Sequence, residues 1–169
     1  MMAVHRLANV TEAQIHDLAL VLIDCVEGGA SVSFMHPLSL EKATSFWRRA
    51  AENVARGASA LIVAEDAAGI VGTVQVVLEQ PENQPHRGDI AKLLVHRRAR
   101  RTGVGEALMR EAERVARECG KSLLVLDTAS GDAERLYVRM GWQLVGVVPG
   151  YALWPTGGLC ATSFYYRTL

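Results

Sequence analysis

The hydrophobic pattern changes period several times along the chain, and each change marks an element. Residues 3 to 8 read as a strand. Thr11 then suits a helix N-cap, because Ile15, Leu18, Ala19, Leu22, Ile23 and Val26 recur on one helical face until Gly28-Gly29. A second amphipathic helix is predicted from the Ser39 cap to Gly57, carrying Ala43, Phe46, Trp47, Ala50, Ala51 and Val54. The connection between them, residues 28 to 38, is unusually apolar for a loop, which predicts that it lines something. Ala60 to Glu65 and Ile70 to Leu78 are rich in β-branched residues on either side of the turn sequence Asp66-Ala67-Ala68-Gly69, the pattern of a hairpin.

A polar stretch, 79 to 88, breaks the alternation before a third buried strand, Ile90 to Val95, interrupted by Lys92. The long helix from Gly103 to about Cys119 keeps Val104, Ala107, Leu108, Ala112 and Val115 in helical register. Its Glu106, Arg110, Glu113, Arg114 and Arg117 are predicted to face outward, and Gly120 closes it. Ser122 to Leu126 reads as a strand, Asp132 to Met140 as a short helix, Trp142 to Val148 as a strand and about 161 to 168 as the last strand. The order strand, long helix, strand, short helix, strand requires some parallel pairing, whereas the hairpin requires antiparallel pairing. A mixed α/β sheet flanked by helices is therefore expected, in a single domain spanning residues 1 to 169.

Composition narrows the function classes. Eighteen Lys+Arg balance 18 Asp+Glu, with 50% apolar and 21% charged residues, which argues against a disordered polyelectrolyte. Cys25, Cys119 and Cys160 fall outside any ligand spacing, so no metal site is expected and reduced thiols are the default. Neither a signal-peptide core nor an apolar run of membrane-spanning length is legible, which points to a cytoplasmic protein without a membrane partner. The basic side is lopsided: there are three lysines and fifteen arginines, and four of the arginines fall within positions 97 to 101. No aromatic stripe accompanies them, so nucleic acid is not the expected partner.

Arg100-Arg101-Thr102-Gly103-Val104-Gly105 lies where a strand gives way to a helix. Free amides at the helix start, with glycines that allow close approach, suit a phosphate, and guanidinium groups add charge. A solvated edge with two turn glycines would show the same spacing. Neither a Walker loop nor a dinucleotide fingerprint is present.

The stretch R-R-T-G-V-G followed by E-A-L-M resembles the [Q/R]-x-x-G-x-[G/A] signature of the GCN5-related N-acetyltransferase (GNAT) superfamily, and L-L-V-H-R-R-A-R has the form expected before it. D-A-E-R-L-Y-V-R-M-G-W, residues 132 to 142, is similar to that family's A-x-x-L-Y-x-x-x-G-F, with Trp142 where Phe is usual. K-L-L-V-H-R-R-A-R-R, L-V-L-D-T and the tail P-x-Y-A-L-x-P-x-G further resemble tabtoxin-resistance acetyltransferases. The resemblance implies the acyl-CoA N-acyltransferase fold, a splayed central sheet, with acetyl-CoA or coenzyme A as cofactor. Leu93, Leu94, Val95, Arg100, Arg101, Thr102, Gly103, Val104, Gly105, Glu106 and Tyr137 would contact it, the amides near Leu94 and Val95 being placed for the tetrahedral oxyanion.

The resemblance also implies that Tyr137 is the acid and favours Asp127 as a residue of the cleft. For the base, Asp89, Glu79, His36 and a water relay stay open, His96 reading as a local contact. Phe34, Met35, His36, Glu79, Asp89, Tyr151 and Trp154 are expected to line a pocket for a small cationic or zwitterionic amine, such as a toxin, an antibiotic or an amino-acid-like metabolite. Acetylation of protein amino groups and a non-catalytic acyl-CoA-binding module are the alternatives. The aromatic tail Phe164, Tyr165 and Tyr166 suggests a strand or a homodimer interface.

Overall fold

The computed structural model describes residues 1 to 129 and 131 to 169. The chain runs β1 (Ala3–Leu7), α1 (Glu12–Glu27), α2 (Leu40–Ala55), β2 (Ser59–Asp66), β3 (Gly69–Val77), β4 (Arg87–Val95), α3 (Val104–Glu118), β5 (Leu123–Thr128), α4 (Gly131–Arg139), β6 (Gln143–Leu153) and β7 (Leu159–Thr168). Local chemistry sets the helix starts. Thr11 and Gln14 form a reciprocal capping box at α1, and the Ser39 hydroxyl accepts the Lys42 amide at α2. The Asp66 carboxylate accepts the Ala68 amide at 2.8 Å in the β2–β3 turn, as an Asx residue does.

Among the described residues the strands form one mixed sheet in the order β1-β2-β3-β4-β5-β7-β6, in which only β4 and β5 are parallel neighbours. The final strand β7 inserts between β5 and β6 and runs antiparallel to both, so β5-α4-β6 is not a unit of adjacent parallel strands. The aromatic tail is consumed by this insertion, and Tyr165 is buried. Strand alternation gives the sheet two faces. Ile62, Val74, Val76 and Leu124 pack beneath Leu108, Met109 and Ala112 of α3, while Leu61, Val63 and Leu94 pack against Leu18 and Leu22 of α1 and Trp47 of α2.

Two boundaries and the burial of one side chain differ from the sequence expectation for identifiable reasons. β4 begins at Arg87, inside the polar stretch, because Arg87 and Gly88 pair with Leu123 and Leu124. β6 continues past Pro149 to Leu153 because register shifts between Val148 and Ala152 absorb the irregularity. Glu113, expected to face outward, is buried: its Oε1 accepts the Trp142 indole N–H at 3.1 Å and lies 3.0 Å from Arg167 Nε as an ion pair. Arg167 also donates from Nη1 to the Met140 carbonyl, tying β7 to the end of α4.

Candidate active site

β4 and β5 share a ladder over only three pairs, Arg87–Leu123, Gly88–Leu124 and Asp89–Val125. Beyond them β4 stays with β3 and β5 with β7, so the strands diverge into a slot. A bulge bends β4 away: Thr73 faces Leu94 while Gln75 faces Ala91, leaving an extra residue on β4, and Lys92 sits there with φ +52°. Three non-glycine residues among those described have positive φ, Ser33, Lys92 and Arg101, and all three border this slot or its ends. Such conformations cost energy and cluster where function requires them.

One end of the slot is the start of α3. Its N-cap, Gly103, is left-handed at φ +84° and has no side-chain cap. Among the described residues no backbone acceptor takes the amides of 101 to 106, and no atom lies within 4 Å of where a Cβ on Gly103 would stand. This is an open cradle of N–H donors at the positive end of a 15-residue helix. The arginine clump divides before it. Arg97 is held by Asp24, which accepts its amide at 2.8 Å and its Nε at 2.9 Å, and Arg98 grips Asp66 with Nη1 at 2.5 Å and Nη2 at 3.2 Å. Burial acts to raise the Asp24 pKa, but the Arg97 hydrogen bonds and the charges of His96 and Arg97 outweigh it and lower the value. Arg100, whose Nε donates to the Val95 carbonyl at 3.2 Å, and Arg101 remain exposed beside the cradle.

At the other end lies a cavity of about 310 Å³, lined by Ser31, Ser33, Phe34 and Met35 of the α1–α2 loop, by Asp127 of β5 and by Tyr151 of β6, among others. Asp127 accepts the Thr162 hydroxyl at 2.9 Å. Tyr137 is 4% exposed, its ring packed against Trp142 and Tyr165 with centroids 5.9 Å away in each case. Burial, reinforced by the Asp127 charge, drives its phenol pKa far above the ordinary value, so the hydroxyl keeps its proton.

A model of the acetyltransferase (GNAT) family matches residues 31–142, about two-thirds of the chain. The chain belongs to this family. Three solved acetyltransferases share its fold. The ribosomal-protein-alanine N-acetyltransferase of Brucella melitensis is 23% identical with a TM-score of 0.81, the alignment covering 99% of each chain. An N-acetyltransferase of Staphylococcus aureus Mu50 is 15% identical with a TM-score of 0.82, covering 99% of this chain and 98% of that one. The GNAT phosphinothricin acetyltransferase of Sinorhizobium meliloti, solved in complex with acetyl-CoA, is 17% identical with a TM-score of 0.82, covering 99% and 88%.

Within this GNAT fold the expected site residues separate into two groups. Arg100 to Glu106 lie together at the α3 start, Leu93 to Val95 lie on the diverging part of β4, and Phe34, Met35, Asp127 and Tyr151 meet at the cavity. Four others are not among the cavity-lining residues. Glu79 pairs with Arg56 at 2.9 Å beyond the end of β3, and Asp89 is gripped by Arg87 two residues away on its own strand. His36 is exposed, with its amide donating to the Pro155 carbonyl, and Trp154 is engaged in the β6–β7 turn, its amide donating to Gly158. Glu106 pairs with Arg110 and Arg139 at the α3–α4 junction. Sequence reasoning missed Asp24, which sits on a face that reads simply as helix core. It also passed over Lys92, although the interruption of an apolar strand by a lysine was the visible signal.

No helix among the described residues is long and apolar enough to cross a membrane.

Proposed function

We propose that this GNAT chain transfers the acetyl group of acetyl-CoA to a primary amine of a small molecule, within one domain of residues 1 to 169. The observation that carries the reading is the slot between β4 and β5, with an amide cradle at one end and a 310 Å³ cavity at the other. The residues present fit the donor: the cradle amides are untaken, Gly103 leaves room above them, and two arginines stand uncommitted to carboxylates beside it. The amides of 101 to 105 with Arg100 and Arg101 hold the pyrophosphate, and the free edge of Leu93, Leu94 and Val95 aligns the arm that follows. Bound acetyl-CoA supplies an acyl group as a thioester, activated toward an amine.

Tyr137 holds a proton on Oη through neutral pH and releases it as the departing group gains charge. Asp127 accepts the proton of the incoming amine, directly or through water. It is preferred to Asp89 because Arg87 already occupies the Asp89 carboxylate. A cavity of this volume is at the small-molecule end of the usual range. The tail P-x-Y-A-L-x-P-x-G, which places Tyr151 at the cavity, supports a position beside the tabtoxin-resistance acetyltransferases. The three free thiols are compatible with a cytoplasmic setting.

Titration calorimetry with acetyl-CoA tests the donor. Saturable heat is expected, and no heat with no thermal shift at millimolar ligand overturns the reading. Release of free thiol across a panel of amines then identifies acceptors.

A homodimer belongs to the same proposal. The edge strand β6 carries no charged residue from 143 to 153 and exposes Leu144, Val145, Val147 and Val148 by 42 to 69%. An uncharged edge of this kind pairs readily with its own copy about a two-fold axis. Sedimentation should show a dimer that Val145→Lys dissociates; a wild-type monomer at 100-fold dilution steps throughout would exclude it.

A further inference from the structure

Lys92 does not itself line the cavity, but its side chain is joined to a lining residue, Ser33. Its Nζ donates to the Ser33 hydroxyl at 3.1 Å and lies 5.7 Å from the centre of the Phe46 ring, which itself packs edge-on against Phe34. Both partners of that hydrogen bond hold backbone conformations that L-residues rarely adopt, Ser33 at φ +79° and Lys92 at φ +52°. Two strained residues from different elements, joined by their side chains, indicate a geometry imposed by the fold rather than local preference.

The contact also has a direction. Ser33 Oγ accepts from the ammonium, so its own hydrogen remains available, and no acceptor for it occurs among the described residues. Ser33 lines the cavity. The result is a hydroxyl donor backed by a cation, a pairing that favours an anion. Lys92 has no carboxylate within ion-pairing distance among the described residues, and burial lowers its pKa while the Asp127 charge acts to raise it. Asp127 gives the same cavity its negative pole, and Phe34, Met35, Tyr151 and Leu153 give it apolar walls.

We propose that the Ser33 hydroxyl, backed by the Lys92 ammonium, anchors a carboxylate of the acceptor, which makes the acceptor an amino carboxylate with its amine directed to Asp127. This rests on the reading of the cavity as the acceptor site. Ser33 and Lys92 are thus specificity-determining residues: together they hold one end of the acceptor, Lys92 through Ser33, and take no part in the proton transfers at the other.

The test pairs amino acids with the amines that lack only the carboxylate, for example L-methionine with 3-(methylthio)propylamine and L-phenylalanine with phenethylamine, extended to all the common amino acids. Binding is measured by calorimetry with and without coenzyme A, and turnover by thiol release, for wild type, Lys92→Met, Lys92→Arg and Ser33→Ala. At least one amino carboxylate is expected to bind wild type ten or more times tighter than its amine, the scale of one charge-assisted hydrogen bond. Lys92→Met should abolish that ratio through a rise in KM for the amino carboxylate, Ser33→Ala should reduce it severalfold, and Lys92→Arg should retain part of it.

Ser33→Ala alters an exposed loop position, so it remains informative if Lys92→Met fails to fold. Equal ratios in wild type and both neutral variants, or no amino carboxylate bound by wild type, overturns the anchor. An amino carboxylate that binds through Lys92 but is never acetylated supports the anchor and counts instead against acetyl transfer to this cavity.

Discussion

Gly103→Val is the sharpest perturbation of the proposed donor site, because the substitution separates backbone conformation from crowding. Nothing lies within 4 Å of a Cβ at Gly103, so no clash with a neighbour arises. What changes is the backbone at φ +84°, where an L-residue is disfavoured by about 1–2 kcal/mol and a β-branched one by more. If the turn keeps its shape, the folded state loses about 2 kcal/mol and the melting temperature falls by roughly 4–8 °C. If the turn relaxes instead, the amides at the start of α3 swing away from a common centre. Two hydrogen bonds to a charged phosphate, at about 1.5–3 kcal/mol each, then weaken acetyl-CoA binding by about a hundredfold or more.

Calorimetry reads the affinity and urea denaturation reads the stability. Gly103→Asn is the control, since Asn tolerates the left-handed region, and it should retain most of both. The reasoning fails if Gly103→Val binds acetyl-CoA within about threefold of wild type without loss of stability. That result would mean that the left-handed N-cap neither strains the fold nor aims the amides.

Three further outcomes are expected. Tyr137→Phe should lower kcat by about ten- to a thousandfold with little change in acetyl-CoA affinity, and the wild-type rate should show no loss near pH 10 from ionisation of this buried phenol; unchanged kcat in a stopped-flow thiol assay removes it from the acid role. Asp24→Asn should destabilise the protein at pH 7 and weaken acetyl-CoA binding, because Asp24 holds the turn that leads into the cradle. The Asp24 pKa is lowered on folding, so its contribution is fully present above the unfolded value of about 3.9 and is lost as pH falls through the folded value; denaturation curves of variant and wild type should converge towards pH 2. Glu113→Ala should cost about 3 kcal/mol in urea denaturation, because it strands the Trp142 N–H and leaves Arg167 without its carboxylate; a loss under 1 kcal/mol would show that water replaces the pair.

Much of the architecture is written in short-range pattern. Thr11 with Gln14, Ser39 with Lys42 and Asp66 with Ala68 each act within three residues, so the sequence alone marks those helix starts and that turn. The glycines at 103 and 105 ahead of an amphipathic helix mark the turn that precedes α3, and the family resemblance singles out Tyr137, because both are contiguous stretches. The α1–α2 loop was legible as a lining segment from its apolar content, and Phe34 and Met35 do line the cavity.

Tertiary structure alone decided which charges are free and which are spent. Four arginines look equivalent in sequence, but Asp24 lies 73 positions from Arg97 and Asp66 lies 32 from Arg98, and only folding brings those carboxylates to two of the four. Lys92 and Ser33 are 59 positions apart and Asp127 and Thr162 are 35 apart, so neither pole of the cavity is visible to a periodicity argument. The same holds for the insertion of β7 between β5 and β6, which buries Tyr165 and gives Glu113 an arginine partner on the last strand. Local propensity acts over a few bonds, whereas pairing across a sheet is settled by packing of the whole chain. The sequence therefore determined the elements and the motif at the start of α3, and the fold determined the cavity and its charges.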